Sequence, residues 1–348
     1  MAQNNTGINL NSEVKINFKT LIILFLFIVG IYLLVPRIID AQEAVKLILK
    51  VNKIYLFLGL LCEFLSYVGA AWLLGIILSR MGYKIPFWDR FRIGSIAAFA
   101  IHFFPVGSFG EGAVDFYFLR KRKVEPGSIL IMFILRIIFS YIAFFGLLLV
   151  ALILVPTAKD LSLAPKLLAI TISSLVFGGL IYLFYLYEHK DKFKKVWQKI
   201  LIPGNFLLRK FKQPMISPEK STEIFEDVYQ GIGLFNQKKR NFVLAILAGL
   251  VYWLGDVLCF FFVFLSFGYL IHFGVLTFSY GIGSLAGMAS FIPGGLGVTE
   301  GSLGLILTGL GTPSTIALIS ILVFRFFSFW IWIPVGLYSF FSLRKKAK

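Results

Sequence analysis

Six apolar runs, near residues 20–36, 54–79, 127–155, 166–187, 241–271 and 314–343, restrict this chain more than any other feature. Each approaches or exceeds the roughly 20 residues a helix needs to cross about 30 Å of hydrocarbon. With 58% hydrophobic residues in 348, the chain has too little polar surface to cover a soluble globule of its size. It reads as an all-α, polytopic integral membrane protein with about six full spans. The first run follows a mostly polar stretch, is too long for a signal peptide and precedes no small-residue cleavage site. It is expected to remain as a helix.

Two further stretches, 87–119 and 274–310, are broken near their middles by residues that disfavour a continuous helix. The first contains PVGSFGEG, with Pro105, Gly107, Gly110 and Glu111; the second contains PGGLGVTEG, with Pro293, Gly294, Gly295, Gly297 and Glu300. In both, a carboxylate closes the turn and one arginine follows 25 residues later in the next apolar helix, Arg136 after Glu111 and Arg325 after Glu300. An acid within an apolar run precedes each unit as well, Glu63 and then Asp256. The chain is therefore read as a duplication, and each interrupted stretch as a re-entrant or broken helical hairpin. Two complete but crooked spans would keep the same ends.

The excess of 34 Lys and Arg over 17 Asp and Glu, a formal +17, does not point to nucleic acid, because the basic residues are segregated. With a cytoplasmic N-terminus they gather in the inner segments 1–20, 80–92, 120–125, 188–240 and 344–348. The outer segments hold only Arg37, Lys46, Lys50, Lys53, Lys159 and Lys166. Such asymmetry is the positive-inside pattern and puts both termini in the cytoplasm. The natural partners of the basic clusters are membrane phospholipids, above all anionic headgroups at the cytoplasmic face. A homo-oligomer is compatible with this reading.

Orientation and duplication together give the two units opposite topology, the construction of transporters whose site lies where inverted halves meet. The layout is a cytoplasmic tail (1–19), a first membrane half (20–187, repeat unit 54–155), a basic interfacial linker (188–240), a second half (241–343) and a basic tail (344–348). In the linker, FKKVWQKILIPGNFLLRKF suits a helix in the headgroup layer. Ser217 and Pro218 then read as the cap and first residue of another helix, with Ile224, Phe225, Val228 and Ile232 along one side.

Seven ionisable groups fall in apolar or interrupted segments: Glu63, Glu111, Asp115, Arg136, Asp256, Glu300 and Arg325. At roughly 2.5–3.5 kcal/mol each at a helix centre, they would together oppose insertion by on the order of 20 kcal/mol if unpaired and facing lipid. They are expected to face inward, with Glu111 against Arg136 and Glu300 against Arg325, or crosswise between halves. One reading makes these pairs structural pins. The other makes Arg136 and Arg325 the grip on a lipid phosphate, which a planar guanidinium holds through two oxygens, while the acids take an amine or a coupling proton. Half-helix N-termini after Gly110 and Gly297 would add positive ends aimed at the same anion.

Glu63 and Asp256 are candidate coupling acids, although a neighbour such as Ser66 or Tyr67 would satisfy a lone acid. Asp115 is expected near the interface in a solvated structural role. Trp253, Trp330 and Trp332 read as belt or lipid-facing residues. Cys62 and Cys259 read as buried thiols, and His102, His189 and His272 have no ligand spacing, so no metal and no cofactor is implied.

The run FIPGGLGVTEGSLGLIL followed by FRFFSFWIWIPVGLYSF resembles the second signature of the lysylphosphatidylglycerol synthase transmembrane region family, the flippase-like domain also found in the multiple peptide resistance factor. FFPVGSFGEGAVDFYFLRKRKV looks like that family's first signature. The resemblance covers about residues 18–343. It implies a lipid flippase or related role in a bacterial or archaeal plasma membrane, with Pro105, Gly107, Gly110, Glu111, Arg136, Pro293, Gly294, Gly295, Gly297, Glu300 and Arg325 as the family positions.

Two departures stand out. Val114 occupies a position where many members resemble one another in carrying arginine. The neighbours of Arg136 are Leu135 and Phe139, where many carry acids. The chain stops shortly after its last span, so synthesis of an aminoacylated lipid is not expected of it; nor is any other enzyme activity. An ion-coupled carrier of a small solute and a membrane adaptor for a separate synthase are the alternatives to lipid movement.

Overall fold

The computed structural model describes residues 50–103, 107–155, 185–210, 217–236, 239–290 and 292–346, with isolated residues between 167 and 182. The expected span at 20–36 and turn residue Pro105 lie outside the described residues, as does most of the span at 166–187. The described residues form helices joined by short turns, with no strand among them. In order they form α1 (Lys53–Arg80), α2 (Phe87–Phe103), α3 (Gly107–Arg120) and α4 (Pro126–Leu154). The linker supplies α5 (Lys190–Lys210) and α6 (Pro218–Asn236). The second half supplies α7 (Lys239–Ser266), α8 (Phe273–Ala289), α9 (Val298–Gly309), α10 (Ser314–Arg325) and α11 (Trp332–Lys346). Four helical stretches among the described residues are long and apolar enough to cross a membrane: Lys53–Arg80, Pro126–Leu154, Arg240–Ser266 and Ser314–Lys345.

The central contact is α1 against α7. Side chains shrink there so that backbones can touch: a Cβ on Gly255 would lie 2.8 Å from the Cys62 carbonyl oxygen, and one on Gly69 would lie 2.6 Å from the Tyr252 nitrogen. Because early α1 meets late α7, the two helices run antiparallel. At the end of the pair, the Asn52 N–H donates to the Ser266 carbonyl at 2.8 Å. The same Asn52 caps α1 by accepting from the Ile54 N–H. Away from the contact, exposed Ile54, Phe57, Leu61 and Leu65 repeat at helical spacing and form an apolar outer face.

The interrupted stretches are helical hairpins. α2 packs on α3 and α8 on α9, and Gly283 meets Leu303 while Gly287 meets Thr299, so the second pair is antiparallel. Their helices have 17, 14, 17 and 12 residues, which at 1.5 Å per residue is about 25, 21, 25 and 18 Å, short of a full crossing. Arg122, just after α3, binds Asp89 in the first turn of α2 at 2.8 Å and closes the first hairpin at its open end.

The halves also clasp each other crosswise. α4 of the first packs on α8 of the second, and α11 of the second packs on α2 of the first. The span that follows each hairpin thus covers the other half's hairpin, as expected of an inverted repeat around the α1–α7 axis.

The linker is more than a surface strap. Ser217 caps α6 by accepting from the Lys220 N–H; Phe225 and Val228 are buried, and Gly231 sits against Ile131 and Leu135 of α4. α5 lies on α6, where the Trp197 indole donates to the Ser221 hydroxyl at 3.0 Å.

Candidate functional site

The turn after α8 is built from three residues that only glycine holds comfortably: Gly294, Gly295 and Gly297 have φ of 60°, 62° and 80°. The Glu300 carboxylate reaches back to accept from the Gly297 N–H at 2.7 Å. Its other oxygen accepts from Arg325 Nε at 2.6 Å, and Arg325 Nη2 donates to the Gly294 carbonyl at 2.8 Å. One guanidinium therefore ties the strained turn, the start of α9 and the end of α10. The anion-attracting end of α9 expected after Gly297 is already occupied by Glu300.

Immediately beyond Arg325 the helix widens into a π-turn, Phe326–Trp330, closed by the Ile331 N–H on the Phe326 carbonyl. Such turns redirect side chains by inserting a residue. Here Ser328 is turned inward and Phe329 lies under the guanidinium, its ring centroid 4.8 Å from Arg325 Cζ.

The first half repeats the pairing with a difference. Arg136 Nη2 lies 2.7 Å from Glu111 and also 2.7 Å from Asp115. Asp115 is completely buried, not interfacial and solvated as the sequence suggested. Glu111 and Asp115 stand four apart on α3 and share one face, a spacing legible in the sequence. Asp115 supplies the acid that Leu135 and Phe139 do not. α3 begins at Gly107, so Gly110 lies inside the helix and does not precede a free N-terminus.

Between the halves, Asp256 accepts from the Ser66 hydroxyl and from the Tyr280 hydroxyl, both at 2.6 Å. Ser66 satisfies one of the two acids, as the sequence allowed, and it is the acid on the opposite helix, because α1 and α7 approach so closely. Glu63 is 1% exposed, and its Oε2 has no hydrogen-bond partner among the described residues. Trp332 is buried against Tyr67, and Trp253 donates to the Ser140 carbonyl at 2.9 Å, so these two belong to the interior rather than to a lipid-facing belt. Both cysteines are free. Among the described residues no cluster of His, Cys, Asp and Glu is suited to a metal.

Two cavities meet at this point. One, about 100 Å³, is lined by Arg325, Asp256, Tyr280, Ser284, Thr299 and Ser328, with Leu303 and Phe324 on its apolar side. The other, about 120 Å³, is lined by Glu63, Tyr67, Tyr252, Asp256 and Ser328. Asp256 and Ser328 form their common wall. The first is rich in donors and suits an anion; the second is acidic. Thr299, Ser284, Ser328, Tyr280 and Tyr252 were not singled out by the sequence, since hydroxyls in apolar helices carry no signal until packing brings them together.

Inverted helical halves around a buried polar centre define a class: polytopic membrane proteins with interrupted hairpins at the junction. Residues 20–336 match the family described as Lysylphosphatidylglycerol synthase TM region, and the chain belongs to that family. It is also 27% identical over 198 residues to a UPF0104 membrane protein of Methanothermobacter thermautotrophicus, an alignment covering 55% of each chain. The chain thus spans about half the length of the curated relative it matches.

Proposed function

We propose that this protein moves a phospholipid or lipid-linked intermediate between leaflets, its phosphate held by Arg325. The observation that carries the reading is the cavity beside Arg325: that guanidinium and the hydroxyl-bearing Ser284, Thr299 and Ser328 line about 100 Å³, room for a phosphate group. Arg325 spends Nε and Nη2 on the turn, and a headgroup would engage Nη1 together with Thr299, Ser284 and Ser328. Arg136 faces two carboxylates and is correspondingly less able to accept an anion, so the second half is the binding half and the first is its structural counterpart. Exposed Met288, Ile292 and Phe326 near this cavity offer an apolar rim for the acyl tails.

The protein in this reading is a transporter, not an enzyme, in the plasma membrane of a bacterium or archaeon, with both termini and the basic linker at the cytoplasmic face and with re-entrant hairpins. Lipid headgroups are its ligands. The small cavities also favour a second reading, a carrier of a small soluble anion. Vesicles holding the purified protein and a trace of acyl-labelled phosphatidylglycerol separate the two, with dithionite quenching reporting the outer leaflet. Lipid movement that falls at least tenfold in Arg325→Ala supports the first reading. Equal rates for the wild type and Arg325→Ala would overturn the phosphate role.

A further inference from the structure

The charges at the junction do not balance. Five buried or half-buried carboxylates, Glu63, Glu111, Asp115, Asp256 and Glu300, face two guanidiniums. The described ion pairs assign Arg325 to Glu300 and Arg136 to Glu111 and Asp115. Glu63 and Asp256 enter none of them. Among the described residues Asp256 has only hydroxyl partners, and Glu63 has an oxygen without a hydrogen bond on the cavity they share. Two negative charges buried this deeply and facing one cavity are costly, and a cation offsets them.

Around the pair, α1 presents Tyr67 and Cys62; α7 presents Tyr252 and Cys259; α8 presents Tyr280; α11 presents the Trp332 indole. α2 contributes apolar Ala98 and Ile101. Glu111 acts on the two phenols from α3 and adds negative charge. Arg325 is the guanidinium whose field reaches both acids, and it is already bonded to Glu300.

Asp256 joins the two cavities, because it lines both. An anion entering beside Arg325 comes up against that carboxylate and is repelled while it is ionised. Resting on the lipid reading above, we propose that Glu63 and Asp256 form a proton-loading site, and that one proton binds with each anionic headgroup and is released with it on the other side. By reciprocity, each ligand strengthens the other's binding by the same factor. A monoanionic headgroup and one proton cross as a neutral load, so this symport responds to a pH gradient and not to membrane voltage.

The experiment uses the full chain in phosphatidylcholine vesicles with a trace of acyl-labelled phosphatidylglycerol, under imposed pH gradients and, separately, under potassium-diffusion potentials set with valinomycin. The label is expected to gather in the leaflet facing the less acidic side, its leaflet ratio shifting about tenfold per pH unit and not following voltage. Glu63→Gln and Asp256→Asn are each expected to lose that shift. A second readout does not depend on transport: short-chain phosphatidylglycerol added to weakly buffered protein in detergent should draw up one proton per lipid bound in the wild type and none in Asp256→Asn.

Label that equilibrates with a ratio indifferent to pH sinks the coupling and leaves lipid movement standing. No movement in any condition sinks the reading beneath it. Wild-type shifts retained by both variants would assign the proton elsewhere. If acyl-labelled phosphatidylethanolamine moves without a pH response and phosphatidylglycerol does not move, the acids hold an ammonium group and the proton site is wrong.

Discussion

At the scale of single residues, the two halves have drawn different results from the same parts. Arg325 meets one carboxylate and a carbonyl, whereas Arg136 meets two carboxylates, and the difference is Asp115. Replacing Asp115 with Asn would leave Arg136 with one charged partner, as Arg325 has. The expected outcome is a loss of stability of about 1–3 kcal/mol, from a buried ion pair reduced on one side, with lipid movement retained; thermal melting in detergent and the vesicle assay check the two parts.

Gly295 offers a sharper case. Its φ is 62°, and a Cβ there would lie 2.5 Å from Thr299 Oγ1 and 3.0 Å from Gly287 Cα. Gly295→Ala therefore strains the backbone and collides with two walls at once. A melting temperature lowered by the equivalent of about 1–3 kcal/mol is expected. An unchanged melting curve would show that the turn does not hold this conformation.

At the scale of elements, the α1–α7 pair decides the architecture, and its antiparallel register is directly testable. With Cys62 and Cys259 replaced by alanine, cysteines at Asn52 and Ser266 should form a disulfide under mild oxidation, because their backbones are bonded at 2.8 Å. Cysteines at Asn52 and Ala248 should not, since Ala248 packs near Gly69, about 25 Å further along α1. Gly255→Leu should part the helices and abolish monodisperse folding, as its side chain would enter the backbone of α1. The hairpins show how the sequence is legible at this level. Prolines and glycines announce a break, but only the packing of α8 on α9 turns the break into a return.

For the whole molecule, the inverted arrangement predicts that the open ends of the two hairpins emerge on opposite sides. Cysteine at Lys121, beyond the end of α3, should label from the cytoplasmic side of native membranes. Cysteine at Ser314, just after α9, should label from outside. Labelling of both from one side would contradict the opposed topology of the halves. The crosswise clasp of α4 on α8 and α11 on α2 makes the halves interdependent, so separate expression of residues 1–210 and 239–348 is expected to give neither half in a folded form.

Much of this could be read without coordinates. Membrane insertion, the duplication and the matching Glu and Arg follow from apolar run length and from spacing along the chain, both local properties of a helix in lipid. The partners of the intramembrane charges do not. Ser66 reaches Asp256 on the opposite helix, Asp115 lies in a buried ion pair and not at the expected interface, and Ser328 reaches the junction through a π-turn. Those outcomes depend on which helix backbones touch, a relation between residues up to 190 apart, and close packing settles it after the spans have formed.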